Sequence, residues 1–234
     1  MRLLSAVRYD LKLQFRHGFY AVYAIICAAY IAVIRVLPGE WRVTAVRVVV
    51  FMDPSVLGLF FIGGIILLEQ GQNILEGLFI TPLRLWEYIL AKAVSLTLLA
   101  LLSSLVIVVG SYGWRFNWLW LCWGVGLTSV IYVLIGFALI TRAPTLNHYL
   151  VLSPLVIIVS IFPLVDLFGM GQSAVLFLIP TQASWLLISA AFNPAAPWKL
   201  IYALSYLTVW TGLAFYLAQR LFYRYAILRG GKTC

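Results

Sequence analysis

The sequence has 234 residues, of which 64% are hydrophobic and 10% are charged. A soluble domain is about 45–50% apolar and about 25% charged, so the composition excludes a soluble globular protein. The formal net charge of +9 does not indicate a nucleic-acid-binding protein, because the basic residues stand at the ends of apolar segments, where they meet lipid headgroups. The composition therefore predicts an all-α polytopic membrane protein that contacts membrane lipid and binds no nucleic acid.

Residues 1–18 predict an amphipathic helix before the first membrane span. Apolar side chains recur at helical spacing from Leu4 to Phe15, and basic side chains repeat every fourth residue from Arg8 to Arg16. A basic helix with one apolar face is typical of the membrane interface. We expect this helix to lie on the membrane surface.

Six apolar segments are long enough to cross the bilayer, since a spanning helix needs about 20 residues. They are residues 19–37, 48–68, 88–109, 118–140, 149–168 and 200–221. Glycine, proline and charged residues separate them. The connections leave no room for a large soluble domain, so residues 1–234 are predicted to form a single transmembrane domain.

Residues 173–192 are apolar but are interrupted at Pro180, and they allow either six or seven spans. With six spans and both termini inside, eleven of the sixteen basic residues, Lys92 among them, lie inside. Seven spans would move the basic C-terminus outside, against the positive-inside rule. The sequence therefore favours a re-entrant or interfacial pair of short helices over 173–192 on the outer side, with a seventh span as the alternative.

The segment 69–87 joins the second and third spans and concentrates polar residues. Glu69 and Glu76 lie seven residues apart, on one helix face. Thr81 is a good N-cap, and Pro82 suits the first position of a short helix. The pattern predicts a rigid cytoplasmic elbow, and the alternative is an ordinary hairpin with a solvated polar face.

Two carboxylates fall near the predicted outer ends of spans. Asp53 stands beside Pro54 near the start of the second span, where a helix N-cap is the favoured interpretation, and Asp166 lies near the end of the fifth. Carboxylates in membrane segments are candidates for function, so both are hypothetical contacts for a cationic substrate. No metal-ligand spacing and no catalytic motif is present in the sequence.

The runs 69–77 and 88–92 and the Thr81-Pro82 pair resemble the first cytoplasmic loop of type-two ABC exporter permeases. Those loops show a glutamate, a glycine, a Thr-Pro pair and a lysine that enters the next helix. The amphipathic N-terminal helix, six spans and a broken outer segment before the sixth span also match that family. Within it, the sequence is most similar to drug-export permeases of the fluoroquinolone type, with haem-exporter permeases more distant.

The resemblance implies a transport subunit that is not itself an enzyme. ATP and Mg²⁺ would bind to two copies of a separate P-loop ATPase, since this sequence has no G-x-x-x-x-G-K-[ST] run and no cofactor of its own is implied. A second permease subunit, identical or homologous, would complete the path for a hydrophobic or amphipathic drug or lipid-like molecule. The protein would reside in the plasma membrane with both termini cytoplasmic. The elbow would be the coupling helix, contacting the ATPase through Glu69, Glu76, Gly77, Thr81, Pro82, Arg84 and Glu87.

Two other functional classes stay open on the sequence. A polytopic membrane enzyme acting on lipid would need acids, bases or a nucleophile that converge on one site. A secondary transporter would need ionisable residues in the middle of a span and paired broken helices in internal repeats. The predicted spans show neither an internal repeat nor a charge at mid-span.

Overall fold

The structure, a computed structural model, describes residues 2–72, 84–143, 145–164 and 177–230. All the regular structure within these ranges is helical. The helices are α1 (Arg2–Arg16), α2 (Phe19–Val36), α3 (Gly39–Gly71), α4 (Leu85–Ser111), α5 (Trp118–Ile140), α6 (Leu146–Ser160), α7 (Pro180–Ala190) and α8 (Pro197–Gly230).

Six of these helices, α2 to α6 and α8, are long and apolar enough to cross a membrane, when α6 is counted to Leu164. The predicted all-α protein with six membrane-spanning helices is therefore confirmed. α1 forms over most of the segment predicted to be an amphipathic helix.

Three helices form the centre of the bundle. The most apolar stretches of α3, α4 and α5 are 69%, 50% and 61% buried, whereas those of α2, α6 and α8 are 17%, 22% and 17% buried. α3, α4 and α5 pack against one another, and each of them also packs against three further helices. The peripheral helices leave their apolar faces open, as expected of side chains that face lipid.

Two hydrogen bonds show which helix ends lie together. Nε of Arg35 at the end of α2 donates to the Gly110 carbonyl at the end of α4, at 2.7 Å. The Asn117 N–H at the start of α5 donates to the Ala191 carbonyl just after α7, at 2.8 Å. We call this side of the bundle the Asn117 end. The opposite side, where α3 ends and α4 begins, is called the Glu69 end.

The second span differs from the prediction because its helix begins at Gly39, nine residues before Val48. The polar stretch that follows Pro38 is therefore helical and not a connection. The N-terminal acid Glu40 suits the positive end of the helix dipole. A change from apolar to polar residues shows where a helix leaves the lipid, but the helix itself can continue beyond that point. With 33 residues, α3 is about 50 Å long and exceeds the roughly 30 Å hydrocarbon layer.

This longer helix changes the position of Asp53. The residue that caps α3 is Pro38, and Asp53 stands fifteenth in the helix, 14 residues after Gly39 and 18 before Gly71. The N-cap interpretation of Asp53 is therefore wrong. Asp53 instead lies in the interior of the α3 helix.

Three of the helices approach closely at two glycines. A Cβ added to Gly63 of α3 would stand 2.1 Å from Cε1 of Tyr149, and a Cβ added to Gly136 of α5 would stand 2.2 Å from Cγ2 of Ile62. The Tyr149 hydroxyl donates to the Leu59 carbonyl at 2.5 Å. Small residues at such contacts let backbones come close together in membranes, where the hydrophobic effect does not drive helix association.

α7 is a short helix buried inside the bundle. It begins at Pro180, which suits the first helical position, and its 11 residues extend about 16 Å, too little to cross the bilayer. Trp185 is 3% exposed and meets the Phe51 ring edge-on at 5.6 Å. Of the predicted pair of short helices over 173–192, residues 173–176 lie outside the described residues.

Candidate functional site

Most of the predicted coupling elbow lies outside the described residues. This applies to Glu76, Gly77, Thr81 and Pro82, so the coupling helix stays a prediction. The structure does place the three remaining members of the predicted set, which are Glu69, Arg84 and Glu87.

Arg84 and Glu87 form the start of α4. Arg84 is the N-cap residue, with extended backbone angles (φ −81°, ψ 148°). Its N–H donates to Oε2 of Glu87 at 2.8 Å, the reach-back that a glutamate makes in a capping box. Glu87 is only 9% exposed, so its carboxylate stabilises the helix start where the chain leaves the elbow.

Glu69 belongs to a buried ionic cluster at the Glu69 end. Nζ of Lys92 donates to Oδ1 of Asp10 at 2.7 Å and also to Oε1 of Glu69. The Tyr88 hydroxyl donates to the other carboxylate oxygen of Glu69 at 2.6 Å. All four residues, which we call the Lys92 cluster, are no more than 6% exposed.

The charges in this cluster do not balance. One ammonium group faces two carboxylates in a setting where charges lose most of their hydration. Burial raises the pKa of Asp10 above its ordinary value, and the ammonium of Lys92 opposes that shift. The Tyr88 ring lies 5.2 Å from Nζ of Lys92 and adds a cation–π contact. Lys92 is thus the counter-charge for both acids.

The Lys92 cluster joins the three helices α1, α3 and α4 beside the elbow. Asp10 comes from α1, Glu69 from the last turn of α3, and Lys92 and Tyr88 from the first turns of α4. Next to it, the Gln14 amide of α1 donates to Oγ of Ser95 of α4 at 3.0 Å. Glu69 is turned into the bundle with 2% exposure, so its side chain is not presented for a partner protein to contact.

Sequence reasoning missed the role of Lys92 and Asp10. The positive-inside rule groups Lys92 with the basic residues at the membrane interface. In the structure, however, Lys92 is only 1% exposed. The available signal was an acid within an otherwise basic helix and a lysine several residues inside an apolar span. Their pairing joins residues 82 positions apart, and periodicity within either helix does not reveal it.

Asp53 occupies a second buried polar site. Oδ2 of Asp53 accepts a hydrogen bond from Oγ of Ser103 at 2.9 Å, and Oδ1 accepts a longer one from the Tyr23 hydroxyl at 3.4 Å. The site thus joins α2, α3 and α4, and Asp53 is 4% exposed. Asp166, its predicted companion, lies outside the described residues. In the part of the chain that is described, no three His, Cys, Asp or Glu side chains are grouped to hold a metal ion.

Comparison with known proteins shows the family of this chain. Residues 1–230 match the model of the fluoroquinolones export permease protein family. The chain belongs to this family. Two fluoroquinolones export permease proteins of Mycobacterium tuberculosis, from strains CDC 1551 and H37Rv, are each 32% identical to it over 234 residues, with 98% of both chains covered. The protein is thus a multi-pass membrane permease of an exporter.

Proposed function

We propose that this permease is the membrane-spanning subunit of an ATP-driven ABC exporter. A separate P-loop ATPase, present in two copies, would bind ATP and Mg²⁺ and supply the energy. Family membership and the elbow motif of residues 69–92 support this proposal. We expect no residue of this chain to catalyse ATP hydrolysis, because its sequence has no phosphate-binding loop.

The observation that carries the proposal is the position of the Lys92 cluster. The segment 69–87 is proposed as the coupling helix, with Glu76, Gly77, Thr81, Pro82, Arg84 and Glu87 in or beside a groove of the ATPase. Both ends of this segment are anchored, at Glu69 by the cluster and at Arg84 by the α4 cap. A movement of the ATPase against the elbow would therefore displace α1, α3 and α4 together, as a rigid-body transition requires.

The assembly and orientation follow the same proposal. Two permease subunits, identical or homologous, would form the translocation path, and both termini would face the cytoplasm at the plasma membrane, as the positive-inside rule favours. The substrate would be a hydrophobic or amphipathic small molecule. The names of the two relatives make fluoroquinolones the first compounds to test in a drug-efflux assay.

Asp53 and Asp166 are proposed as carboxylates of the substrate path. A buried carboxylate in a membrane helix attracts cations, and Asp53 has polar partners from two neighbouring helices. Replacing both with asparagine is expected to lower the transport rate of a cationic substrate roughly tenfold, the effect of losing one charge-assisted hydrogen bond. An unchanged rate in membrane vesicles would remove both residues from the path.

The experiment for the proposed function is a search for a P-loop ATPase that co-purifies with this chain. We expect the ATPase to co-purify with the native chain and to be lost or uncoupled in a Glu76→Ala, Arg84→Ala variant. A matched control is Glu40→Ala, Arg115→Ala, which removes the same charges from exposed positions at the Asn117 end. If the native chain purifies without an ATPase, or if both variants behave alike, the proposed coupling is wrong.

One observation favours a second candidate function. Asp53 stands in the interior of a membrane helix, which is where secondary transporters carry an ionisable residue. In that case an ion gradient, and not ATP, would drive export. The two mechanisms differ in their response to a protonophore, which collapses an ion gradient but leaves ATP-driven transport intact.

A further inference from the structure

An apolar cavity of about 480 Å³ lies among α5, α6, α7 and α8. Its walls are almost entirely aliphatic and aromatic. Two hydroxyl groups of the lining residues are used within their own helices, because Thr128 donates to the Gly124 carbonyl at 2.5 Å and Ser160 donates to the Val156 carbonyl at 2.7 Å. Water in a buried cavity needs several polar partners, so these walls suit a hydrocarbon chain and not water.

The cavity opens toward the bilayer between α6 and α8. α5 packs against both of these helices, whereas in the described residues α6 and α8 do not pack extensively against each other. Of the lining residues, Leu155 and Val159 of α6 are 58% and 62% exposed, and Leu213 and Leu217 of α8 are 45% and 44% exposed. An empty apolar cavity destabilises a protein in proportion to its volume, which favours an occupied state. A hydrocarbon chain of the bilayer can enter this cavity without crossing water.

The cavity lies in the half of the bilayer nearer the Glu69 end. α5 begins at the Asn117 end, and its lining residues extend from Thr128 to Ala138, about 15–30 Å along the helix from Trp118. α8 begins at the same end, shortly after α7, and its lining residues extend to Leu217, about 30 Å from Pro197. The hydrocarbon layer is roughly 30 Å thick, so a chain in the cavity comes from the lipid leaflet at the Glu69 end.

Three basic side chains lie beyond the cavity toward the Glu69 end. They are Arg142 just after α5, His148 near the start of α6, and Arg224 of α8. Each stands four or seven residues from a lining residue and therefore on the same helix face, about 6–10 Å farther along, and these lining residues are Ala138, Leu155 and Leu217, respectively. All three basic side chains are exposed, and none forms a hydrogen bond or ion pair with another described residue. Such side chains attract anionic lipids, and arginine binds phosphate through paired hydrogen bonds.

We propose that the cavity and these three basic residues form a site for one anionic phospholipid of the leaflet at the Glu69 end. One acyl chain occupies the cavity, and the phosphate of the headgroup binds to Arg142, His148 and Arg224. The lipid fills the space that α6 and α8 leave between them. This site is present whether ATP or an ion gradient drives export.

The test is photolabelling of the full chain in phosphatidylcholine nanodiscs that contain a small proportion of phosphatidylglycerol with a diazirine in the terminal half of one acyl chain. We expect the label on Ile131 and Tyr132, which line the cavity and are only 7% and 2% exposed, so that lipid outside the bundle scarcely reaches them. Replacing Arg142, His148 and Arg224 together with glutamine should lower this labelling roughly tenfold, because the attraction to the anionic headgroup is lost.

A matched control for the three glutamines is the triple variant Arg8→Gln, Arg16→Gln, His17→Gln, which makes the same changes at exposed positions of α1 and should leave the labelling unchanged. Ala138→Phe, which fills part of the cavity, should abolish the labelling, whereas Ala32→Phe at an exposed position of α2 should not. The glutamine variant changes exposed side chains only, so its effect does not depend on whether Ala138→Phe folds.

Several results would overturn the inference. Labelling confined to exposed residues such as Leu155 and Leu213 would show that the chain stays outside the cavity. Equal labelling of the native chain and the glutamine variant, or equal labelling by phosphatidylcholine with the same diazirine, would show that the basic residues do not bind the headgroup. Displacement of the label by norfloxacin, a fluoroquinolone, but not by unlabelled phosphatidylglycerol would identify a drug site instead.

Discussion

Replacing Lys92 with methionine is expected to lower the free energy of unfolding by about 3–5 kcal/mol, the effect of removing one partner from a buried ion pair. The substitution keeps the length of the side chain but leaves Asp10 and Glu69 buried together without their counter-charge. The free energy can be measured by SDS titration of the protein in mixed micelles. The defect should shrink as the pH falls below neutrality, since folded Asp10 would then bind its proton more tightly than unfolded Asp10.

The control for this prediction is Lys12→Met, which removes an exposed lysine from α1. We expect its effect to stay within about 0.5 kcal/mol, as for surface substitutions in general. Asp10→Asn should have a smaller effect than Lys92→Met, because the contact between Lys92 and Glu69 remains. A Lys92→Met variant as stable as the Lys12→Met control would show that the cluster does not hold the three helices together.

Replacing Gly63 with alanine is expected to lower the free energy of unfolding by about 1–3 kcal/mol, the usual result of overpacking a filled interior. The new methyl group would stand 2.1 Å from the Tyr149 ring, so α3 and α6 would have to separate. That movement would also strain the 2.5 Å hydrogen bond from Tyr149 to the Leu59 carbonyl. The same SDS titration measures the loss.

The neighbouring glycine provides a matched control. A Cβ at Gly64 meets nothing within 4 Å, so Gly64→Ala should be neutral or stabilising by up to about 1 kcal/mol through its higher helix propensity. In a Tyr149→Leu background, Gly63→Ala should lose part of its effect, because the ring it meets is gone. Equal effects at the two glycines would contradict the close packing of α3 against α6.

The arrangement of spans could be predicted from the sequence because the bilayer imposes it. A length of about 20 apolar residues and the distribution of basic residues predict six spans, and the described residues contain six helices long and apolar enough to cross a membrane. The start of α3 could not be predicted in this way. Hydropathy detects where lipid begins, whereas a helix continues as long as its backbone hydrogen bonds do, and α3 extends from Val48 back to Gly39 through charged residues.

The candidate sites were harder to predict, because each depends on residues distant in sequence. Asp10 and Lys92 meet across 82 positions, and Asp53 and Ser103 meet across 50. The sequence identified Glu69 and Asp53 as unusual because acids are rare in apolar segments. The residues that contact these acids are a lysine, two tyrosines and a serine, which are not unusual in the sequence. Only the packing of the helices determines which of these residues contacts each acid.

Uptake of norfloxacin, a fluorescent fluoroquinolone, into inside-out membrane vesicles distinguishes export driven by ATP from export driven by an ion gradient. The vesicles would contain this chain together with the P-loop ATPase that co-purifies with it, and a parallel set would carry the ATPase with its P-loop lysine replaced by alanine. We expect uptake that needs ATP, continues in the presence of a protonophore and disappears with the altered ATPase. Uptake that continues without ATP hydrolysis and stops with the protonophore would show that ATP does not drive export and would identify a secondary transporter.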